Sequence, residues 1–336
     1  MTNVVEKLKQ GKNLSFEESK TLFADLMEGK HSEDSIIEIL ESFIKKGETK
    51  DELAGGIFVL RDKANKVKTD PDTIDTCGTG GDGKNSLNIS TAAAIVLASM
   101  GVKVAKHGNK AVSSNCGSAD VLEALKININ LKSKEAEDSI KNFNFAFMFA
   151  PNYHSAMKHV GPARKKMGKK TIFNLIGPLS SPAQVKRQVV GVFDKKWMKP
   201  FAEALRENNV VHAFIVQSDD GMDEISVSVN THIAEITDGD INTYTINPQY
   251  FDLEPQDTGS LIATNPTESL SIINTVFDGE IGPATNIVAA NAGAAIYVAG
   301  ICDSIKSGFS LALDAIQTGR AKKTFNDFIL FTKTLA

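Results

Sequence analysis

A change of pattern near residue 70 restricts the fold more than any other feature of the sequence. Beyond it, short apolar runs at 102–105, 143–150, 189–193 and 210–216 alternate with stretches of helical spacing. Fully apolar runs of this length are typical of parallel strands covered on both faces, and strands that alternate with helices build α/β domains. We therefore predict an α/β domain with a mostly parallel sheet.

Two further patterns complete the predicted domain. The segment 231–246, with Asp238-Gly239 in its middle, predicts an antiparallel hairpin at one edge of the sheet. Helices are expected at 91–100, 119–125 and 197–208.

Before residue 70 the sequence predicts helices in quick succession. Ser15 with Glu18, and Thr49 with Glu52, form capping-box patterns at two helix starts. Residues 1–66 contain few strand-like runs and are too few to bury a large core alone. We expect a small helical domain whose apolar faces pack on a partner subunit.

Composition and charge exclude several classes of protein. Among 336 residues, 37 Lys and Arg oppose 41 Asp and Glu, and a net charge of −4 argues against a general nucleic-acid binder. Three cysteines are too few and too scattered for a disulfide framework or a four-ligand zinc site. The first residues lack the apolar core of a secretory signal, and the apolar stretch 287–302 is shorter than the roughly 20 residues of a membrane span. We expect a cytoplasmic globular protein.

The first segment that suggests chemistry is DTCGTGGDGKNSLNIST at 75–91. Its glycines match G-x-G-x-x-G, but a dinucleotide fingerprint opens directly into a helix and has an acidic residue about 20 positions on. Here 84–89 separate the glycines from the next helix, and the loop also lacks the Gly-Lys-Ser/Thr ending of a Walker motif. A glycine-rich turn followed by hydroxyls at a helix N-terminus favours an anion site, with a plain strand-to-helix turn as the alternative.

The second segment is VAKHGNKAVSSNCGSADVLEAL at 104–125. A strand ends in Lys106, His107 and Asn109, and residues at the carboxyl ends of strands line the crevice where α/β proteins bind ligands. We expect Lys106 to supply a positive charge for phosphate, with hydroxyls from the serines that follow. For Cys116, a small buried packing residue is favoured over a nucleophile because no base is fixed beside it.

The third segment is SDDGMDEIS at 218–226, directly after an apolar run. Its four carboxylates repel one another unless a cation relieves them, and the spacing does not fit an EF-hand. Adjacent Asp223 and Glu224 suit Mg²⁺, which takes one or two carboxylates together with substrate phosphates. A solvated acidic turn is the alternative.

Together these segments, with HSAMKHVGPARKKMGKKTIFNLIGPLSSPA at 154–183, resemble the anthranilate phosphoribosyltransferases of tryptophan biosynthesis. The resemblance spans nearly the whole chain in order. It implies a nucleoside-phosphorylase/phosphoribosyltransferase-like fold: a small helical domain at 1–69, completed by about 165–187, and a large α/β domain at 70–336. It also implies a homodimer, formed through the helical domains, that requires Mg²⁺.

The resemblance further implies two substrates, 5-phosphoribosyl 1-pyrophosphate and anthranilate, and a set of residues that bind them. Phosphoribosyl pyrophosphate is expected at Gly78, Gly81, Asp82, Ser86, Asn88, Ile89, Ser90, Thr91, Lys106, His107, Gly108, Asn109, Lys110, Ala111, Val112, Ser113, Ser114 and Ser118. Anthranilate is expected at Gly78, Asn109, Arg164, His107 and His154, and Mg²⁺ at Ser90, Asp223 and Glu224. An aromatic amine is already a free nucleophile at neutral pH, so alignment and charge stabilisation suffice and no catalytic residue is assigned, with His107 left open.

The sequence departs from the family pattern at a few positions, and two alternatives stay open. Ser86-Leu87 stand where Thr-Phe is frequent, Lys110 where Arg is common, and Cys116 where the family usually has a small or basic residue; these affect affinity rather than the reaction. One alternative is a pyrimidine-nucleoside phosphorylase of the same fold, against which the carboxylate pair Asp223-Glu224 speaks. The other is a non-catalytic ligand-binding relative, which would be expected to lack one of the three segments.

Overall fold

The computed structural model describes residues 4–111 and 116–334. Its first part is a group of four helices, α1 (Val4–Lys9), α2 (Phe16–Met27), α3 (Glu33–Lys46) and α4 (Lys50–Lys63). The predicted capping box at Ser15 is present, since its hydroxyl accepts from the Glu18 N–H and the Glu18 carboxylate accepts from the Ser15 N–H. At Thr49 the box is half formed. Glu52 accepts from the Thr49 N–H at 2.8 Å, while the Thr49 hydroxyl has no hydrogen-bond partner among the described residues.

The second part is built on a seven-stranded sheet in the order β3-β2-β1-β4-β5-β6-β7. The first five strands are parallel, and the hairpin predicted at 231–246 adds two antiparallel strands at one edge. The strands are β1 (Ile74–Gly78), β2 (Val104–Gly108), β3 (Phe145–Phe149), β4 (Arg187–Gly191), β5 (His212–Ser218), β6 (Thr231–Thr237) and β7 (Asp240–Ile246). The predicted α/β class with a mostly parallel sheet is confirmed.

Helices cover both faces of this sheet. They are α5 (Ile89–Ser99), α6 (Ser118–Ala124), α7 (Ser133–Phe143), α8 (Ala150–Tyr153), α9 (Gly161–Met167), α10 (Ile172–Ile176), α11 (Met198–Glu207), α12 (Pro266–Phe277), α13 (Pro283–Val298), α14 (Ile305–Gln317) and α15 (Arg320–Lys333). The apolar stretch near 287–302 forms α13, which is buried inside the domain, and Asn291 bonds there to the backbone of Ile225. Within 4–111 and 116–334, no helix is both long and apolar enough to cross a membrane.

The helical part and the α/β part share a hydrophobic core on one face of the sheet. This core joins buried residues of α2 to α4, such as Phe23 and Phe43, with those of α9, α10 and α11, such as Phe173 and Phe201. A second core, on the other face, is formed by α5, α12, α13 and α14. The chain segment 160–179 therefore packs with the N-terminal helices, although strands β1 to β3 lie between the two in sequence.

A polar cluster fastens the edge hairpin to the sheet. The carboxylate of Glu235 on β6 accepts hydrogen bonds from His212 (3.0 Å), Tyr244 (2.9 Å), Tyr297 (3.0 Å) and Thr237 (3.1 Å). Burial works to raise the pKa of Glu235, but these donors outweigh it and hold the pKa below its ordinary value.

Candidate active site

A cavity of about 490 Å³ lies at the carboxyl ends of β1 and β2, which is where open α/β sheets bind ligands. Its walls come from the loops that follow these strands, from the acidic turn after β5, and from α4, α9 and α10 of the helical part. All three segments singled out in the sequence therefore reach one cavity.

The glycine-rich loop after β1 needs glycine for two separate reasons. A side chain at Gly78 would place its Cβ 2.5 Å from a carboxylate oxygen of Asp223. Gly80, Gly81 and Gly83 have φ values of +60°, +76° and +73°, in the left-handed region that other residues rarely adopt. The loop can thus pass close to Asp223 while presenting its backbone to the cavity.

The loop leads into α5, whose first turn lines the cavity. The helix was expected from residue 91 but begins at Ile89, so Asn88 is the N-cap and Ser90 lies in the first turn. Thr91 differs from its neighbours, because it is 3% exposed and lies outside the cavity lining.

The ammonium group of Lys106 lies behind the loop rather than in the open cavity. Lys106 is 1% exposed, and its Nζ donates to the Thr76 carbonyl (2.5 Å) and to the Ser90 hydroxyl (3.1 Å). Burial lowers its pKa, opposed by the nearby carboxyls of Asp75 and Glu224. Lys106 is among the residues that line the cavity, and its expected contact with phosphate stays a prediction.

The second loop is shaped by Asp120 of α6. Its carboxylate accepts from the Ala111 N–H (2.9 Å) and the Gly117 N–H (2.8 Å), so it holds both ends of the loop together. The N-cap of α6 is Gly117, and a Cβ at Gly108 would collide with the Ser118 hydroxyl. The expected contacts of Val112, Ser113 and Ser114 lie outside the described residues.

Exposed positions of this loop face in different directions. Asn109 lines the cavity, and its carbonyl accepts from the Ser118 hydroxyl and the Ala119 N–H. Lys110 also lines the cavity, but its ammonium forms an ion pair with Glu123 at 2.8 Å. That pair is exposed, so a phosphate could compete with Glu123 for the lysine at little cost.

The acidic turn does not hold its four carboxylates together, in contrast to the crowding expected from sequence. Asp219 pairs with His232 at 2.6 Å, and Asp220 accepts from the Met222 N–H and the Ser226 hydroxyl. Asp223 and Glu224 remain, and both face the cavity.

The electrostatics of this remaining pair fit a cation. Burial and then the nearby Asp82 carboxyl raise the pKa of Asp223 to about 7. Burial and then Asp223 raise the pKa of Glu224 well above its ordinary value. Such shifts mean that negative charge here is under-compensated, and a divalent cation would relieve it.

The donor set determines which metal the site suits. Within the described ranges, no group of three or more His, Cys, Asp or Glu side chains is arranged as a metal cage. Two carboxylates with the Ser90 hydroxyl beside a phosphate-binding loop instead fit Mg²⁺, which keeps water and phosphate oxygens among its ligands. Asp82, expected at phosphoribosyl pyrophosphate, lies close enough to Asp223 to raise the pKa of that carboxyl and so borders the same position.

On the opposite wall, Arg164 of α9 presents a partly unpaired guanidinium. Its Nη2 donates to Asn174 Oδ1 at 3.3 Å and the group lies 5.4 Å from the centre of the Phe173 ring. Its buried Nε has no hydrogen-bond partner among the described residues, which is a costly state for a charged donor. The neighbouring Lys165 and Lys166 are exposed.

Two histidine rings lie against each other in the cavity wall. The ring centres of His107 and His154 are 5.1 Å apart, and each Nε2 is buried without a hydrogen-bond partner in the described part of the chain. Burial lowers both pKa values, that of His154 to about 4, so both imidazoles are neutral at pH 7.

The cavity contains no activated nucleophile among its described residues. Burial, and then Asp120, raise the pKa of the Cys116 thiol to about 11, and Cys77 is buried with its pKa raised well above the ordinary value. Both thiols are therefore protonated at neutral pH, as expected for Cys116 if it is no nucleophile. Cys116 is not the buried packing residue that the sequence favoured, because it is partly exposed in the cavity wall and its thiol donates to Asn88.

Several lining residues were not found from sequence. Asn174 and Phe173 hold Arg164, while Leu60, Met157 and Pro178 add apolar surface. They come from segments without a chemical motif. For Phe173, Asn174 and Pro178 the sequence offered one signal: they lie in the stretch 154–183, which carries part of the family resemblance and also contains Arg164.

Comparisons with known proteins agree with this geometry. A family model described as "Glycosyl transferase family, a/b domain" matches residues 70–322, and one described as "Glycosyl transferase family, helical bundle domain" matches 2–64. The anthranilate phosphoribosyltransferase of Pelagibacter ubique is 50% identical over 327 residues, covering 96% of this chain and 97% of the relative.

Solved structures give the same result. The Thermus thermophilus anthranilate phosphoribosyltransferase has a TM-score of 0.92 at 35% identity, covering 99% of this chain and all of that one. The Saccharomyces cerevisiae enzyme, solved in complex with PRPP and Mg, has a TM-score of 0.85 at 25% identity, covering 95% and 93%. This chain belongs to the anthranilate phosphoribosyltransferase family, glycosyltransferases of tryptophan biosynthesis.

Proposed function

We propose that this chain transfers the phosphoribosyl group of 5-phosphoribosyl 1-pyrophosphate to the amine of anthranilate. The products are N-(5-phosphoribosyl)anthranilate and pyrophosphate. The observation that carries the proposal is the shared cavity: two anion-binding loops and a carboxylate pair face an unpaired arginine across about 490 Å³.

The loop after β1 and the loop after β2 are proposed to hold the phosphoribosyl pyrophosphate. Backbone groups near Gly78 and Gly81, the hydroxyls of Ser86 and Ser90, and the start of α5 present donors to an anion. In the second loop, the residues expected at this substrate, Lys106 to Ala111 and Ser118, would bind it from the other side. Asp223, Glu224 and Ser90 would hold Mg²⁺, which when bound neutralises charge on the leaving pyrophosphate.

Arg164 is proposed to hold the anthranilate carboxylate. A guanidinium binds a planar carboxylate through two parallel hydrogen bonds, and the unpaired Nε supplies one donor. Phe173 beneath the guanidinium fixes its plane. Gly78 and Asn109 would face the rest of the molecule, with His107 and His154 along its route.

In the reaction, a bond forms between the anthranilate nitrogen and C1 of the ribose while the bond from C1 to the pyrophosphate oxygen breaks. The nitrogen then loses one proton. A protonated aromatic amine is a strong acid, so even a weakly basic neutral imidazole such as His107 can accept that proton at Nε2. The protein contributes mainly by aligning the amine with C1 and by stabilising the leaving group.

The direct test is to mix protein, anthranilate, phosphoribosyl pyrophosphate and Mg²⁺, and to follow the loss of anthranilate fluorescence. We expect consumption that needs all three components. A parallel reaction with inorganic phosphate and a pyrimidine nucleoside should release no base. Cleavage of the nucleoside with no loss of anthranilate signal would replace our proposal with the nucleoside phosphorylase alternative.

We also propose a homodimer formed through the helical part, in the cytoplasm. Phe58 on α4 and Ile44 on α3 are 44% and 41% exposed, although both are large apolar side chains. Phe58 packs edge-on against Phe16 with ring centres 6.0 Å apart, and Lys20 lies over both rings. Apolar surface of this kind on a small helical domain is typical of a subunit interface.

A further inference from the structure

Asn88 lies where three separate parts of the chain meet. Its side-chain Oδ1 accepts from the Ser269 hydroxyl (2.9 Å) and from the Cys116 thiol (3.3 Å). Its Nδ2 donates to the Cys116 carbonyl (3.3 Å), and its backbone N–H donates to the Ser269 hydroxyl (3.1 Å). Asn88 thus joins the first loop at the start of α5 to the end of the second loop and to α12.

The chain before α12 supports the first loop as well. The Leu87 N–H donates to the Leu261 carbonyl at 2.8 Å, and the Ala263 N–H donates to the Asn85 carbonyl at 2.7 Å. This short antiparallel pairing runs along the segment that links the glycines to α5. The first loop is therefore held from behind by residues far away in sequence.

Ser269 is the one side chain of α12 that enters this arrangement. It is 0% exposed, and its hydroxyl both donates to and accepts from Asn88. An alanine there would leave the Asn88 N–H without an acceptor and Oδ1 with the weak thiol donor alone. Asn88 could then rotate, and the spacing between the two loops would no longer be fixed.

We infer that Ser269 is a positioning residue for the phosphoribosyl pyrophosphate site: together with Cys116 it fixes Asn88, and through Asn88 it sets the distance between the two anion-binding loops. The inference rests on the proposed function of those loops. Ser269 has no place in the cavity lining, so its effect reaches the substrate through Asn88.

This role predicts an effect on one substrate. Most residues proposed to bind phosphoribosyl pyrophosphate belong to these two loops, so loosening them weakens binding of that substrate most. The proposed carboxylate contact of anthranilate is made by Arg164 on α9, which Ser269 and Asn88 do not touch. We expect Ser269→Ala to raise the KM for phosphoribosyl pyrophosphate by about 5- to 30-fold, the loss of two hydrogen bonds. The KM for anthranilate should change by less than about twofold.

Two serines provide matched controls. Ser139 on α7 is also fully buried and donates to the Phe145 carbonyl, at the end of β3 away from the cavity. Ser139→Ala should lower the Tm and leave both KM values unchanged. Ser271→Ala, an exposed position on α12, should leave Tm and both KM values unchanged. Cys116→Ser should retain tight binding of phosphoribosyl pyrophosphate because its hydroxyl keeps a donor for Asn88 Oδ1, whereas Cys116→Ala should weaken that binding.

A second readout is independent of any substrate. Alkylation of Cys116, followed by peptide mass spectrometry, reports how firmly Asn88 holds the thiol, and Ser269→Ala should accelerate it while Ser139→Ala should not. Equal changes in both KM values, or an unchanged alkylation rate, would reduce Ser269 to a packing residue. If the wild-type protein fails to bind phosphoribosyl pyrophosphate in a calorimetric titration, the proposed function fails, and the alkylation rates still decide whether Ser269 holds Asn88.

Discussion

Replacement of Arg164 by alanine tests the anthranilate wall of the cavity. In the folded protein the guanidinium lies over the Phe173 ring and donates one hydrogen bond to Asn174. Its buried Nε has no acceptor in the described residues. A carboxylate placed there would gain a charge-assisted pair, which contributes about 1.5–3 kcal/mol. With about 1.4 kcal/mol per tenfold change in affinity, the KM for anthranilate should rise roughly 10- to 150-fold.

The assay is initial-rate kinetics with each substrate varied in turn. The KM for phosphoribosyl pyrophosphate should stay within about twofold, because Arg164 belongs to α9 and to neither of the two loops proposed to bind that substrate. Arg164→Lys keeps a charge but loses the planar fork, so we expect an intermediate anthranilate KM. Lys165→Ala, at an exposed neighbour on the same helix, is the control and should leave both constants unchanged. Equal small effects of the alanine variant on both substrates would refute the carboxylate contact.

Three further predictions concern the metal, the edge hairpin and the subunit interface. Asp223→Asn with Glu224→Gln should remove most Mg²⁺-dependent turnover. The pKa of Asp223 is raised from 3.8 to about 7, so between these pH values the folded protein binds more protons than the unfolded chain. The free energy of unfolding therefore falls as pH rises through this range, and without Mg²⁺ the double variant should have a higher Tm than the wild type at pH 8. Because the pKa of Glu235 is lowered in the folded protein, this carboxylate stabilises the fold at pH values above its ordinary pKa of 4.5, and that stabilisation is lost as the pH falls. In the Glu235→Gln variant the Tm should therefore decrease less on acidification than in the wild type. Phe58→Glu should convert a dimer to a monomer in analytical ultracentrifugation; a wild-type monomer at micromolar concentration would contradict the interface.

Sequence periodicity predicted the elements better than their ends. The apolar run at 102–105 places the second strand too early, since β2 runs from Val104 to Gly108. Lys106 and His107, which the sequence analysis placed at the end of this strand, are buried and paired with β3 despite their polarity. Polar side chains at a strand end are hidden from an apolar-run criterion, and here they belong to the cavity wall. At Thr49 the Glu52 carboxylate makes the predicted cap contact and in addition binds Lys46 and the Leu14 N–H, two partners that the local pattern does not show.

For the site, what sequence could predict depends on how far apart the partners lie. The glycines of the first loop and the adjacent pair Asp223-Glu224 are recognisable because their spacing alone carries the chemistry. The contact of Asp82 with Asp223 and that of Ser269 with Asn88 each join residues more than 100 positions apart, and no local pattern marks them.

The division of the four carboxylates of the acidic turn is explained by this same distinction between local and distant partners. In the sequence Asp219, Asp220, Asp223 and Glu224 are equivalent members of a repulsive cluster. In the fold Asp219 accepts a hydrogen bond from His232 on β6, and Asp220 accepts from the Met222 N–H and the Ser226 hydroxyl of the same turn. The remaining two are pressed against Gly78 and the start of α5, where burial penalises their charge. A cation would therefore be stabilised most at this pair, and Gly78, which lets the first loop approach Asp223, brings the proposed phosphate-binding loop beside the proposed metal site.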